Sequence, residues 1–351
     1  MTFFLLILVL AGCGGTEGSG KEGEVFIAAQ WNVQALFDGH ETGREYSDFL
    51  EASGWTAEKY HARITALSQA ILRMADDPSP ALIGFTEIES AAVLEDLARG
   101  ELSKHGYLWT AFASVPGAPL GLGFLSRFPL SDIRAHSITV GKETAPRPIL
   151  EVRVEPGGKP LVFLLGHWKS KLGGDAATAP QRRASARVVH RRLAELNGSG
   201  TPLIVMGDLN ENHDEFYRHL GGLFCALLPD APEAALLAGP GMPPDFLVIS
   251  GEKPPRAAYF PEGVHALYSP WGQEKTGGSY YFRDRWETID HFLLSESLFD
   301  GAGWEFADSS VLNDAPFIGP DGSPNRYNPR SGRGLSDHLP LLLELRDFGD
   351  G

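Results

Sequence analysis

The feature that most constrains this chain is a series of short apolar runs of strand length, separated by segments of helical periodicity and each met by a polar or charged residue. Residues 25–31 give way to Asn32, 81–85 to Glu87, 161–165 to His167, and 203–206 to Asp208 and Asn210. Residues 122–125, 149–154, 289–294 and 339–345 are runs of the same kind. Between them, Tyr60, Ile64, Leu67, Ile71 and Met74 recur at helical spacing, which predicts an amphipathic helix over 56–74, closed by Pro78 and Pro80. A second helix is expected over 90–99 with Ser90 as its N-cap, and a third over 178–196 with Pro180 in its first turn. Strands and helices in alternation place the chain in the α/β class. Residues 229–278 are rich in Gly and Pro and read as loop. No repeat or linker interrupts 25–346, which is therefore expected to be one domain, with 347–351 as a tail.

The polar residues fall where loops converge on a ligand in open α/β sheets, at the strand ends. Asp290 and His291 lie within the 289–294 run, and Ser336-Asp337-His338 precedes the last one. Acids, amides and histidines gathered there, with few cysteines, suit a hard cation held by oxygen, such as Mg²⁺. His291 follows Asp290 directly, so it faces the other side of the strand and is assigned to structure. His213, just beyond Asn210, lacks a motif of its own. Cys225 lies in an apolar setting and is expected to be a buried, inert thiol.

The formal net charge of −15 argues against a protein that coats nucleic acid or anionic lipid by bulk charge. Against that background, residues 167–192 carry Lys169, Lys171, Arg182, Arg183, Arg187, Arg191 and Arg192 beside one acid, Asp175. Lys169 and Lys171, next to His167, are candidate phosphate ligands. Arg183 shares a helix face with Arg187 and Arg191, and a solvated helix face explains these arginines equally well. The stretch 277–286 mixes aromatics with arginine, including Arg285 and Trp286, a composition able to stack bases and grip phosphates. Core packing accounts for its aromatics just as readily.

Taken together, Trp31-Asn32-Val33, Thr86-Glu87-Ile88, Gly166-His167-Trp168-Lys169-Ser170-Lys171, Gly207-Asp208-Leu209-Asn210, Ile289-Asp290-His291 and Ser336-Asp337-His338-Leu339-Pro340 resemble the endonuclease/exonuclease/phosphatase superfamily, in that family's order. The Gly-His-Trp-Lys-Ser-Lys form looks most like its extracellular nuclease branch. The resemblance implies a four-layered α/β sandwich, two mixed sheets packed face to face with flanking helices. It implies Glu87 as the main metal carboxylate with Asn32 and Asp337 beside it, for Mg²⁺, Mn²⁺ or Ca²⁺. Asp208 would orient or deprotonate the attacking water and Asn210 hold the phosphate or that water. His338, paired with Asp290, would act as base or phosphate donor, and His167 would donate to a phosphoryl oxygen. Two departures stand out: Gln34 or Ala35 replaces a polar or acidic partner of other branches, and Gly166 replaces the usual Asn.

At the N-terminus an apolar run over 3–11 is too short to span a bilayer. The ending Leu10-Ala11-Gly12-Cys13 resembles a bacterial lipobox, although no Lys or Arg precedes it. This implies a signal peptide over 1–12, a lipidated Cys13 and a flexible tether over 13–24. The expectation is a monomeric, extracytoplasmic, lipid-anchored phosphoesterase acting on nucleic acid and touching the membrane through Cys13 alone. A phosphatase or sphingomyelinase-type phospholipase is the rival enzyme, and a non-catalytic surface-binding lipoprotein the rival of another class. The exposed aromatic hairpin that a sphingomyelinase needs is not evident in the sequence.

Overall fold

The computed structural model describes residues 23–75, 78–145, 147–219, 224–238, 244–273 and 277–349. Cys13 and the segment before it lie outside the described residues. The strands, in chain order, are β1 (Val25–Leu36), β2 (Leu82–Ile88), β3 (Trp109–Ala113), β4 (Gly121–Ser126), β5 (Ser131–His136), β6 (Thr139–Val140), β7 (Glu143–Thr144), β8 (Ile149–Val154), β9 (Leu161–His167), β10 (Leu203–Asp208), β11 (Leu227–Pro229), β12 (Leu247–Ser250), β13 (Ala266–Tyr268), β14 (Tyr280–Phe282), β15 (Arg285–Glu287), β16 (Asp290–Leu294), β17 (Trp304–Val311) and β18 (Leu341–Asp347). The α-helices are α1 (Ala57–Ile71), α2 (Ala91–Ala98), α3 (Glu101–Lys104), α4 (Asp175–Leu196), α5 (Glu215–Arg218) and α6 (Pro232–Ala238).

Two large sheets form the centre. One runs β17-β18-β1-β2-β4-β3 and the other β11-β12-β13-β16-β10-β9-β8-β5. Both are mixed: β1 pairs parallel with β2 and antiparallel with β18, and β10 pairs parallel with β9 and antiparallel with β16. Strand alternation divides the apolar residues between two cores. On β9 and β10, Phe163, Leu165, Ile204 and Met206 join the core between the sheets, and Val162, Leu164, Leu203 and Val205 join one shared with α4. On the far side, Leu67 and Ile71 of α1 and Val93 and Leu94 of α2 pack on the first sheet. The sheets approach closely at Gly84, where a Cβ would stand 2.7 Å from the Met206 methyl. This is the four-layered α/β sandwich expected from the resemblance. Among the described residues no helix is long and apolar enough to cross a membrane.

The helices begin where capping chemistry puts them. The Thr56 and Ser90 side chains accept the N–H groups of Lys59 and Val93, closing the first turns of α1 and α2. α4 starts at Asp175 rather than Thr178. Gly173 and Gly174, both at positive φ, turn the chain there, and the Asp175 carboxylate is held by Arg182. Pro180 therefore lies inside the helix, not in its first turn, and α4 forgoes the N–H that would reach Ala176. The stretch 229–278 is less loop-like than expected. It supplies α6 and the short strands β12 and β13, which extend the second sheet. Strands of three or four residues are too short to display a period. Cys225 is buried in a small core with Phe216, Phe246 and Val248, and burial together with nearby carboxylates pushes its thiol up to about 12.

Candidate active site

β9, β10 and β16 lie side by side, and their register sets His167 opposite Asp208 and Asp208 opposite Asp290. Neighbouring strands about 4.8 Å apart thus carry three polar side chains in one row. Their close approach depends on glycine: at Gly207, φ is +124° and a Cβ would stand 2.0 Å from the Gly166 carbonyl oxygen. Gly166 has its own packing reason, since a Cβ there would meet the Trp168 indole nitrogen at 2.9 Å. The usual Asn has no room.

The first sheet brings Asn32 and Glu87 to the same place through strained backbone. Pairing of β1 with β2 shifts between Asn32 and Leu36, and Gln34, Ala35 and Glu87 all adopt positive φ, as does Asn210 across the site. Such conformations cost of order 1 kcal/mol each and persist only where the surroundings hold them. Here Arg63 of α1 holds them. Its guanidinium is wholly buried, donates to the carbonyls of Val33 and Gln34 at 2.6 Å and Ala35 at 2.9 Å, and lies 3.8 Å from the Tyr327 ring centroid. The bend so formed presents the Ala35 N–H to Glu87 Oε2 at 2.7 Å, while Asn32 Nδ2 donates to Glu87 Oε1 at 3.3 Å and to Asp208 Oδ2 at 3.1 Å. Gln34 exchanges two bonds with the Tyr327 backbone, so this departure from other branches serves to anchor that loop.

His338 arrives from the segment before β18. Its Nδ1 meets Asp290 Oδ2 at 2.7 Å, and the same oxygen accepts the Ser279 hydroxyl at 2.6 Å. Its backbone is fixed from both sides: the Trp31 indole donates to its carbonyl, and Ser336 Oγ accepts its N–H while donating to the Asn32 carbonyl. Burial alone would lower the imidazole, but the charge and bond of Asp290, with Asp208 and Asp337 nearby, raise it to about 10. Burial and the charge of Asp290 push the Asp208 carboxyl up to about 7, against the pull of His338. His167 goes the opposite way. Burial, then Arg147, His338 and Lys169, hold it far below the usual imidazole range, so it is neutral. Its Nε2 stands 3.5 Å from Asp208 Oδ2 and 3.8 Å from Glu87 Oε1.

The structure therefore brings Asn32, Glu87, His167, Asp208, Asp290 and His338 together. The Asn210 N–H bonds Asp208 Oδ1 at 3.1 Å and its amide reaches the Trp168 carbonyl at 3.2 Å. Asp337 acts on His338 and Tyr280 through its charge. Lys169 is half-buried near Arg147 and Arg182, and burial with these like charges lowers its ammonium. Two of the candidate basic residues are held in ion pairs. Lys171 is paired with Glu215 at 2.5 Å, and Arg183 with Asp245 at 2.6 Å, because acids from α5 and the segment before β12 pack against that face. Arg285 is exposed on β15, while Trp286 packs on Tyr281 and the core between the sheets. His291 faces away, bonded to the Glu211 carbonyl at 2.7 Å, and His213 bonds Thr288 beside Trp271.

Several residues of the site belong to none of the sequence motifs. Arg147 and Tyr46 lie near each other beside His167 and Glu87, and neither carries a local signal. Arg63 is an arginine on the buried face of a helix, a position normally apolar, which is a signal in retrospect. Tyr280 stacks on His338 at 4.5 Å. Strand alternation would have separated it from Trp286. β14 and β15 also form an aromatic hairpin, with Tyr281 and Phe282 exposed, which the sequence did not reveal.

Two groups among the described residues bring three ligand atoms within 4.8 Å of one another, Asp208–Asp290–His338 and Asp175–Glu215–His219. In the second, the His219 ring bonds both carboxylates, and Arg182 and Lys171 hold their remaining oxygens, so each carboxylate oxygen already has a partner. The first contains a cationic imidazole. The oxygens of Glu87 and Asp337, with side chains 21% and 18% exposed, are hard donors that keep contact with water. Carboxylates of this kind suit a hard divalent cation that keeps part of its water.

Residues 27–219 match the family model described as the endonuclease/exonuclease/phosphatase family. No curated protein sequence matches the chain. Among solved structures, D. rerio TDP2 complexed with a single-strand DNA product superposes with a TM-score of 0.54 at 13% identity, covering 92% of this chain and 99% of that one. The human Nocturnin catalytic domain with bound sulfate gives 0.53 at 16% identity, covering 92% and 94%. A family protein from Bacteroides thetaiotaomicron gives 0.52 at 15%, covering 93% and 99%. At these identities the likeness is one of fold. With the family match extending from β1 through α5, the chain belongs to the endonuclease/exonuclease/phosphatase family and is a metal-dependent enzyme that hydrolyses phosphate esters.

Proposed function

We propose that this enzyme is a nuclease, cleaving phosphodiesters of DNA or RNA outside the cytoplasm as a monomer anchored through a lipid on Cys13. The observation that carries the phosphodiesterase chemistry is the pairing of Asp290 with His338, whose Nε2 faces Asp208 Oδ2 at 4.0 Å beside His167 and Glu87. Glu87, with Asn32 and Asp337, would hold the divalent ion. When bound, that ion neutralises phosphate charge and stabilises the departing oxygen.

The protein's own groups supply the rest. Asp208, raised toward neutral pH, is poised to take a proton from the attacking water at the pH where the enzyme works. His338, cationic because of Asp290, donates from Nε2 to a phosphoryl oxygen, which favours the donor role over that of base. Neutral His167 offers a second N–H to the charge that develops there. Lys169 and Arg147 add positive charge on one flank.

The exposed aromatic hairpin gives the sphingomyelinase reading a specific observation of its own. The charges at its tip, Arg283, Asp284 and Arg285, speak against entry into hydrocarbon.

The test is incubation with supercoiled DNA, single-stranded RNA, sphingomyelin and a phosphomonoester, each with Mg²⁺, Mn²⁺, Ca²⁺ or chelator, beside a His167→Ala/His338→Ala control. Chelator-sensitive nicking that weakens steeply with salt and is lost in the control supports the nuclease. Release of phosphocholine or phosphate alone moves the enzyme to the phospholipase or phosphatase branch. Silence on every substrate favours a surface-binding lipoprotein. Cys13→Ser should release the protein from the membrane fraction, and retention would refute the lipid anchor.

A further inference from the structure

The hairpin of β14 and β15 is docked against the segment that carries His338. The Leu339 N–H donates to the Ser279 carbonyl at 2.7 Å, and Tyr280 pairs with His338 through an antiparallel bridge. Alternation then sorts its side chains. On one face Tyr281 meets Trp286 at 5.1 Å, and Trp286 packs on the core between the sheets. On the other, rings stack outward from the site: His338 to Tyr280 at 4.5 Å and 25°, then Tyr280 to Phe282 at 6.0 Å and 15°. The Arg283 guanidinium lies 5.0 Å from the Phe282 centroid and continues the series as a planar cation.

Two features set this stack apart from ordinary core packing. Phe282 is 48% exposed and Arg283 beyond it is exposed too, so the series opens to solvent at these two residues. The turn itself places Arg283 and Asp284 at φ +49° and +62°, a conformation that two-residue hairpins normally assign to Asn or Gly. The tip keeps charged side chains where glycine would turn more easily. Arg326, 71% exposed and 3.7 Å from Asp337, adds a further cation on the same side of the site.

We propose that Tyr280, Phe282 and Arg283 form a stacking platform for an unpaired base of the strand whose phosphate lies at His338. Aromatic rings and guanidinium planes stack on any base regardless of sequence, provided the base is out of a duplex. The substrate class is therefore single-stranded or frayed nucleic acid. This rests on the nuclease reading above.

The experiment compares the full chain with Phe282→Ala/Arg283→Ala and Phe282→Trp on a short single-stranded oligonucleotide, its duplex and bis(p-nitrophenyl) phosphate, a diester with no base. The double variant is expected to lose about tenfold in kcat/KM on the oligonucleotide relative to the small diester, mainly through KM, while Phe282→Trp retains activity on the oligonucleotide. The wild type should also prefer the single strand to the duplex. An unchanged ratio overturns the platform while leaving the nuclease intact. Equal loss on both diesters overturns it too, because the hairpin would then act through the position of His338. If the wild type hydrolyses the small diester but neither nucleic acid, the nuclease reading fails and the platform falls with it.

Discussion

Asp290 holds Nδ1 of His338 at 2.7 Å, and that single bond leaves Nε2 turned toward Asp208 at 4.0 Å. The imidazole owes its charge at neutral pH to this partner, since burial alone would strip the proton away. Activity that needs protonated His338 is present below its raised value of about 10 and lost above it. Asp290→Asn removes the charge that raises it, so the alkaline limb of the kcat profile should move to lower pH. His338→Ala should cost on the order of a thousandfold in kcat with the fold retained. A limb that stays in place in Asp290→Asn would remove His338 protonation from the rate-limiting chemistry.

Arg63 never reaches the pocket, yet it supports the carbonyls of the bend that presents the Ala35 N–H to Glu87. Arg63→Met leaves buried carbonyls without donors and should lower stability by about 3 kcal/mol in urea unfolding. Mn²⁺ affinity, read by electron paramagnetic resonance without substrate, should fall about tenfold in Arg63→Met, with Arg63→Lys in between. Destabilisation with unaltered Mn²⁺ binding would confine Arg63 to a purely structural role.

Metal removal gives a separate test of Glu87. A chelator should abolish turnover while circular dichroism stays the same. Mg²⁺ at a hundred times its Kd should stabilise the native enzyme by about 2.7 kcal/mol, seen as a rise in Tm. In Glu87→Gln that rise should largely disappear, because the ligand loses its charge. A full rise in the variant would place the ion elsewhere.

Acid stability should report on Glu215. Burial would raise this carboxyl, but Lys171 and the bonds from Asn212 outweigh it and hold it at about 2. A depressed carboxylate contributes stability above its unfolded value of about 4.3 and loses it as pH falls through the folded value. The contribution is about 3 kcal/mol, vanishing between about pH 4.5 and 2. Glu215→Gln should be less stable at neutral pH and flatter across that window in denaturant titrations. A wild-type slope in the variant would assign the acid sensitivity to other carboxylates.

The chemistry-bearing residues were legible because strand ends are local features: Asn32, Glu87, His167 and Asp208 follow apolar runs, Asp290 lies at the start of one and His338 precedes one. That Asp290 and His291 face opposite ways follows from the period of a strand and needs no tertiary information. Capping at Thr56 and Ser90 is equally local.

Long-range partners were not legible. Lys171 and Arg183 look alike in sequence to Lys169, but acids 44 and 62 residues away draw them into ion pairs. Arg63 stands out in sequence as an arginine on the apolar face of a helix, but what it holds there is decided by the strained bend of β1. The hairpin of Tyr280 and Phe282 is three residues a side, too short for its alternation to stand out, and its exposure depends on what packs beneath.

Periodicity and strand-end chemistry thus determined the class of fold and the set of reactive groups, because both follow from a few consecutive residues. Charge states, partners and the open face of the hairpin were decided by tertiary structure. Burial and through-space charge act between groups far apart in the chain, and only the packed sheets bring them within range.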